Sequence, residues 1–464
     1  MIIGSSLPFI NEYIDAVNET IKQLHPDKNL SKLQRYWLSF IILGLIVTNS
    51  LCWARYERFS IGRLTIGQIS WMFRKAKIAW ELLLQASTLY LIRSYNIKEG
   101  VLVIDDTDKE RSKNTTQIAK VHKIKNKKTG GYFNGQNLVF LVLVSRNITI
   151  PVGFCFYEPD SKQSAWRKED ERLRKEGVAK QHRPKRPAID PNYPGKKELG
   201  LKLLSNFIDL GADIKIRAVL ADAFYDTVNF MQQAAIITKQ PQVISQIKKT
   251  QKIIINNKEH EAEQFFANYA GHTETQILRC SEKTITYRSI KCKIKSHDAR
   301  YFLIALKYDD ENDYRYLIAS DMTWRDIDII KTYAFRWLVE VCIQDWKMYE
   351  GWNQLAKQTG EEGSSRGATL SLLCDHALLL HDDQKALCAN KQPAATVGKK
   401  KKKVMMESLK SFIEEIVNSD NPKLMFDNYS TKISELFAVN FSTKHMRNCE
   451  AELLESTDQT MQKT

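Results

Sequence analysis

Apolar positions in the first part of the chain recur at helical spacing. Phe9, Ile14, Val17, Ile21 and Leu24 fall on one face, and His25-Pro26-Asp27 interrupts them. A denser run, Trp37 to Leu51, predicts a buried helix; its fifteen residues fall short of the roughly 20 that cross a bilayer. Thr65 to Arg93 is again helical. Thr65-Ile66-Gly67-Gln68 offers a capping segment, and Arg74, Lys75 and Lys77 add charge to an otherwise apolar pattern.

The period changes at Gly100. Val101–Ile104, Leu138–Val144 and Ile148–Tyr157 are runs dense enough for strands covered on both faces. The turn Ser145-Arg146-Asn147 makes the last two antiparallel neighbours. An amphipathic helix over 197–210 leads to a fourth strand, Ile214–Ala221, and Val228–Ala235 predicts another helix. Strand periodicity returns in Val243–Ile247, Ile253–Ile255, Thr284–Ile294, Tyr301–Lys307 and Tyr314–Ala319. One long helix over 325–350 follows, then an apolar helix, Thr369–Leu380, and an amphipathic tail over 405–445.

These shifts predict an α/β protein with a mixed sheet flanked by helices. The expected units are a helical N-terminal region over 1–97, a core in two parts over 98–240 and 323–385, a β-rich insertion over 241–322, and a linker with a helical C-terminal region over 386–464. The N-terminal unit suits a DNA-binding domain or a plain helical bundle.

Charge narrows the choice of partner. The formal net charge is +15, with 69 Lys and Arg against 54 Asp and Glu, which favours a polyanion and says nothing about fold. The positive residues gather in 111–135 (Arg111, Lys113, Lys120, Lys123, Lys125, Lys127 and Lys128), in 160–198 and in 285–295. The Lys399–Lys403 run suits a solvated linker or a nucleic-acid contact. The eight cysteines include no CxxC pair, which argues against a zinc site or a disulfide framework and for a reducing compartment. The opening MIIGSSLPF has no basic region followed by a long apolar core, so no signal peptide and no membrane association are expected.

The candidate chemistry lies at strand ends. Asp105 and Asp106 follow Val101–Ile104, and Asp222 follows Leu220-Ala221. Carboxylates gathered from separate strands repel one another until a divalent cation arrives. Mg²⁺ takes such oxygen ligands and keeps positions for water and phosphate. A third acid on a helix completes a two-ion site for in-line phosphoryl transfer. On a straight helix Tyr333, Arg336, Glu340 and Lys347 lie within about 60° of one another, with Ala334, Phe335, Leu338, Val341 and Cys342 on the packing side.

The pattern Tyr333-x2-Arg336-x3-Glu340-x6-Lys347, with IDDT at 104–107 and LADAFYD at 220–226 ahead of it, resembles the YREK group of DDE transposases from bacterial cut-and-paste insertion sequences. The resemblance spans roughly residues 98–380. It implies a ribonuclease-H-like catalytic core with a β-strand insertion. Asp105, Asp222 and Glu340 would be catalytic ligands of Mg²⁺ or Mn²⁺, two ions in all, with Asp106 the alternative first acid. Tyr333, Arg336 and Lys347 would contact DNA phosphates, and Trp324 and Trp337 are candidates for stacking on a displaced base. The implied reaction is nicking at a transposon end, attack of the freed 3′-hydroxyl to give a hairpin, and joining to target DNA. The implied partners are double-stranded DNA with terminal inverted repeats, target DNA and a second copy of the chain. The expected setting is the bacterial cytoplasm, at the nucleoid. A catalytically inactive DNA-binding relative and a nuclease on the same fold are the alternatives.

Overall fold

The computed structural model describes residues 5–438, apart from 112–116, 127–128, 241, 269–270, 279–280, 355–358 and 388–393. Five helices come first: α1 (Pro8–Leu24), α2 (Lys32–Thr48), α3 (Trp53–Phe59), α4 (Ile66–Arg74) and α5 (Trp80–Ser94). The core continues through β1 (Glu99–Glu110), β2 (His122–Lys125), β3 (Tyr132–Val144), β4 (Thr149–Tyr157), α6 (Ser161–Lys175), α7 (Lys196–Asp209), β5 (Lys215–Ala221), α8 (Val228–Thr238) and β6 (Val243–Ile247). The insertion holds β7 (Lys252–Ile255), β8 (Lys258–Glu261), α9 (Ala262–Ala267), β9 (His272–Leu278), β10 (Ser281–Ile294), β11 (Ala299–Tyr308) and β12 (Arg315–Ala319). Helices α10 (Asp326–Ala334), α11 (Trp337–Tyr349), α12 (Gly360–Leu379), α13 (Asp382–Leu387), α14 (Ala394–Val417) and α15 (Pro422–Leu436) complete the described residues.

Local chemistry explains the helix starts. Ser31 with Gln34, and Thr65 with Gln68, form reciprocal capping boxes at α2 and α4. Helix α2 is buried along most of its length because α1, α12 and α14 surround it. Among the described residues no single helix is long and apolar enough to cross a membrane. The apolar stretch 65–93 is two helices rather than one. Arg366 of α12 donates from Nη1 to the carbonyls of Phe73 (2.8 Å) and Arg74 (3.2 Å), capping α4 where the charged Arg74–Lys77 segment begins.

Strand β1 pairs antiparallel with β3 and parallel with β5, β5 runs parallel with β6, and β4 is antiparallel to β3. The order β4-β3-β1-β5-β6, with helices on both faces, is a ribonuclease-H-like core. Side chains of β1 alternate between two apolar clusters. Leu102 and Ile104 face the cluster that includes α7, α8 and the N-terminal helices, while Val101 and Val103 face α10 and the start of α11.

Strand β6, whose apolar run opens the expected insertion, is thus the outer parallel strand of the core. The insertion is continuous with it: β12 pairs antiparallel with β6, and β11, β10, β7 and β8 extend the same sheet. Part of the expected positive loop 111–135 is sheet as well, since β2 pairs with the start of β3. Lys113, Lys127 and Lys128 lie outside the described residues.

Two further expectations are corrected. The 325–350 segment breaks between Ala334 and Trp337, where the backbone tightens to i→i−3 bonds: Phe335 to Thr332 (3.1 Å), Arg336 to Tyr333 (2.9 Å) and Leu338 to Phe335 (2.9 Å). Phe335 consequently points outward and is 42% exposed, off the packing face that a straight helix assigns it. The lysine run is not a solvated linker. It lies on α14, which packs on α11, and helical phase turns Lys400 and Lys401 inward. Lys400 Nζ donates to Gln384 Oε1 (2.6 Å) and Lys401 Nζ to the Tyr349 carbonyl (2.7 Å), and burial pulls the Lys401 ammonium down to about 8.

Helix α11 is fixed to the sheet by aromatic packing. Trp346 stacks on Trp352 at 4.2 Å and meets Phe140 of β3 edge-on at 4.7 Å, and both indoles are buried. Trp346→Ala is expected to cost about 3–5 kcal/mol, the range for a large aromatic removed from a core, read as a lowered urea midpoint at constant m.

Candidate metal centre and phosphate-binding residues

The parallel pairing of β1 with β5 ends at Ile104 opposite Ala221, yet β1 continues along β3 to Glu110. Asp105 and Asp106 therefore lie within β1, opposite Phe140 and Val139, rather than at its C-terminal edge. Asp222 follows the last residue of β5 and lies beside them at the notch where the two strands part. One carboxylate oxygen from each of Asp105, Asp106 and Asp222 lies within 4.8 Å of the others. Three hard oxygen donors at this spacing suit a divalent cation of the Mg²⁺ or Mn²⁺ type.

Each acid is held differently. Asp105 shares the β1 face of Val101 and Val103, toward α10 and α11. Its Oδ1 accepts from the Asp106 amide (2.8 Å) and its Oδ2 from Arg336 Nη1 (3.0 Å). Burial pushes its carboxyl up to about 6 despite Arg336 and the amide, with Asp222 and Asp106 adding to the rise. Asp106 takes the opposite face, where Lys196 Nζ of α7 lies 2.5 Å from its Oδ2. Asp222 Oδ1 accepts from the Phe224 amide (3.0 Å), and its carbonyl accepts from Ser245 Oγ of β6 (2.8 Å).

Glu340 lies outside the compact trio. Its side chain is half exposed on the first turn of α11 and is paired with Arg336, which thereby bridges Glu340 and Asp105. Burial works against the Arg336 charge, but Tyr333, Asp105 and Glu340 more than offset it and raise the guanidinium further. Tyr333 is buried, with its hydroxyl 3.4 Å from the Ala221 carbonyl, so the tightened turn at 334–337 aims it at the sheet and away from the exposed stripe of a straight helix. Lys347 is lowered by burial and partly sustained by Asp108, and Lys109, lowered to about 8 by burial, Arg111 and Lys347, is its neighbour on the β1 extension. Trp324 and Trp337 are half-buried against the α10–α11 core cluster.

The structure adds residues that the sequence did not single out. Lys196 lies 5.6 Å over the Tyr157 ring and Lys197 lies 5.2 Å over that of Phe224. Phe224 is 50% exposed two residues after Asp222. Tyr225 is buried, its phenol raised by burial and then by Asp106, Asp222 and Asp105, and its hydroxyl makes no hydrogen bond among the described residues. Only the topology brings Lys196 to Asp106; in the sequence it is one more lysine opening an amphipathic helix.

The basic stretches are partly neutralised. On α6, Arg172 pairs with Glu169 and Glu176, and Lys175 with Glu171, while Arg183 reaches Asp170. In the insertion, Lys293 pairs with Asp298 and Lys295 with Glu259.

Residues 67–262 match the family model of DDE superfamily endonucleases. The matched span contains all three acids of the compact trio and stops before Glu340. No curated protein matches the chain.

The raised Asp105 carboxyl sets a pH dependence. A group held above its ordinary 3.8 stabilises the fold while protonated, and that contribution is lost as pH rises through about 6. In metal-free protein, Asp105→Asn is expected to gain stability relative to the wild type by on the order of 2 kcal/mol between roughly pH 4 and pH 8, measured by urea unfolding in chelator. An offset independent of pH would refute the shift.

Proposed function

We propose that this chain is a DDE-type transposase that cleaves DNA strands with divalent metal and joins the freed 3′-hydroxyl to a target. The observation that carries the reading is the meeting of Asp105, Asp106 and Asp222 within 4.8 Å on a ribonuclease-H-like sheet, inside a region that matches DDE superfamily endonucleases. Asp105 and Asp222 are the assigned ligands, and Asp106 is a further donor. Glu340 is the assigned third acid, supported by Arg336, which ties it to Asp105. A divalent cation bound there supplies Lewis-acid activation of water or of a 3′-hydroxyl and charge neutralisation at the leaving oxygen.

The chain's own residues position the DNA. Asp105 lies on the α11 face of β1, so Arg336 reaches both it and any phosphate set against it. Lys347 and Lys109 extend positive charge along β1 beyond the acids. Tyr333 buttresses the carbonyl just before Asp222 and so holds the second acid in place. Offsets at 333, 336, 340 and 347 support the YREK group in particular, and with it a hairpin intermediate, inverted-repeat ends and a pair of protomers bringing two ends together. Trp324 and Trp337 remain the stacking candidates of that scheme, each needing to swing partly free of its packing.

With labelled inverted-repeat DNA, Mg²⁺-dependent nicking followed by joining supports the transposase. Nicking alone makes it a nuclease, and a mobility shift without cleavage makes it a binder. Asp222→Ala is expected to abolish cleavage while the dissociation constant for DNA stays at its wild-type value; cleavage surviving at the wild-type rate rejects the assignment.

A further inference from the structure

The cations around the acidic trio stand on opposite sides of β1. Arg336 approaches Asp105 from α11 and is held at two points, by Asp105 and Glu340. Lys196 approaches Asp106 from α7 and is held by Asp106 and the Tyr157 ring. The Lys196–Asp106 pair is mostly buried, with 18% and 25% of the two side chains exposed. Its 2.5 Å contact engages Oδ2 of Asp106, whose carboxylate belongs to the metal-competent trio.

An ammonium and a dication compete for the charge of that carboxylate. At these separations the two like charges also repel, even at an effective dielectric of about 20. A lysine is free to yield because its four-carbon stem is flexible, whereas the forked guanidinium of Arg336 is fixed by two carboxylates. Displaced from Asp106, an ammonium in a mostly buried site needs a new anion, and substrate phosphate is the anion such a site is built to receive. Lys197, beside the exposed Phe224 ring, is its neighbour in sequence.

We propose that Lys196 is an exchanging counter-ion: it neutralises Asp106 in the metal-free protein and moves to a DNA phosphate when a divalent cation enters, forming with Lys197 a second phosphate grip across β1 from Arg336. Metal binding and DNA binding are thereby coupled through one side chain. The inference rests on the metal-site reading above and adds to it a positioning residue on α7.

The test uses full-length protein and Lys196→Met, which removes the charge and keeps the stem over Tyr157. Mn²⁺ binding without DNA is followed by the resonance signal of free Mn²⁺, and thermal melting in chelator verifies folding. Binding of a fluorescent duplex is measured against KCl concentration, in chelator and in Ca²⁺. Loss of the competing ammonium is expected to tighten Mn²⁺ binding on the order of ten-fold. The salt slope in Ca²⁺ is expected to fall by about 0.9, one phosphate contact, and to stay unchanged in chelator. Unchanged or weaker Mn²⁺ binding by a folded variant, or an equal loss of slope in chelator, overturns the exchange. Should Lys196→Met not fold, Asp106→Asn serves: with its counter-ion role gone, Lys196 should give wild-type protein's Ca²⁺ slope already in chelator, and a slope left at the wild-type chelator value refutes it. Absence of Mn²⁺ binding by the wild type sinks the metal-site reading itself, whereas wild-type binding without a Lys196 effect sinks only the exchange.

Discussion

Carboxylates pressed together in a mostly buried notch form the constraint around which this structure is arranged. Where β5 leaves β1, Asp222 comes within 4.8 Å of both Asp105 and Asp106. Like charges so close are costly without compensation. The protein meets that cost from both faces of one strand: Arg336 arrives from α11 and Lys196 from α7. Burial leaves its mark in the raised carboxyl of Asp105.

The scaffold brings that arrangement together. Parallel pairing of β1, β5 and β6 needs crossover helices, and α7 and α8 supply them. The crossover that delivers β5 therefore also delivers Lys196 to the notch. On the other face the tightened turn between α10 and α11 sends Tyr333 toward the Ala221 carbonyl and leaves Arg336 at the head of α11, within reach of two carboxylates. The stacked Trp346 and Trp352 hold the far end of that helix against β3. Because β12 pairs with β6, the insertion is fastened to the core sheet by backbone hydrogen bonds rather than by a tether. The buried His297, 2.9 Å from Asp226, adds a side-chain link to the segment after Asp222.

Much of this was legible in the chain as written. Apolar runs marked the strands of the core, the Thr65–Gln68 capping segment marked a true helix start, and the acids that follow the runs 101–104 and 220–221 are the ones the fold gathers within 4.8 Å. Other features were hidden because their cause is remote. The break after α4 depends on Arg366, almost three hundred residues away in the chain. The break at 334–337 interrupts an uninterrupted helical pattern with no proline or glycine to signal it. The lysine run on α14 has the composition of a linker, yet its helical phase carries two ammonium groups into contact with Gln384 and the Tyr349 carbonyl.

The sequence by itself determined where most strands and helices lie, and which acids, arginine and lysines stand at their ends. These follow from local periodicity and residue type, which act over a few positions. Only the tertiary structure decided that Asp106 joins the compact trio while Glu340 is tied to it through Arg336, that β6 belongs to the core, and that Lys196 neutralises Asp106. Those outcomes depend on which strand face a side chain takes and on which helix crosses above it, and distance along the chain carries no record of either.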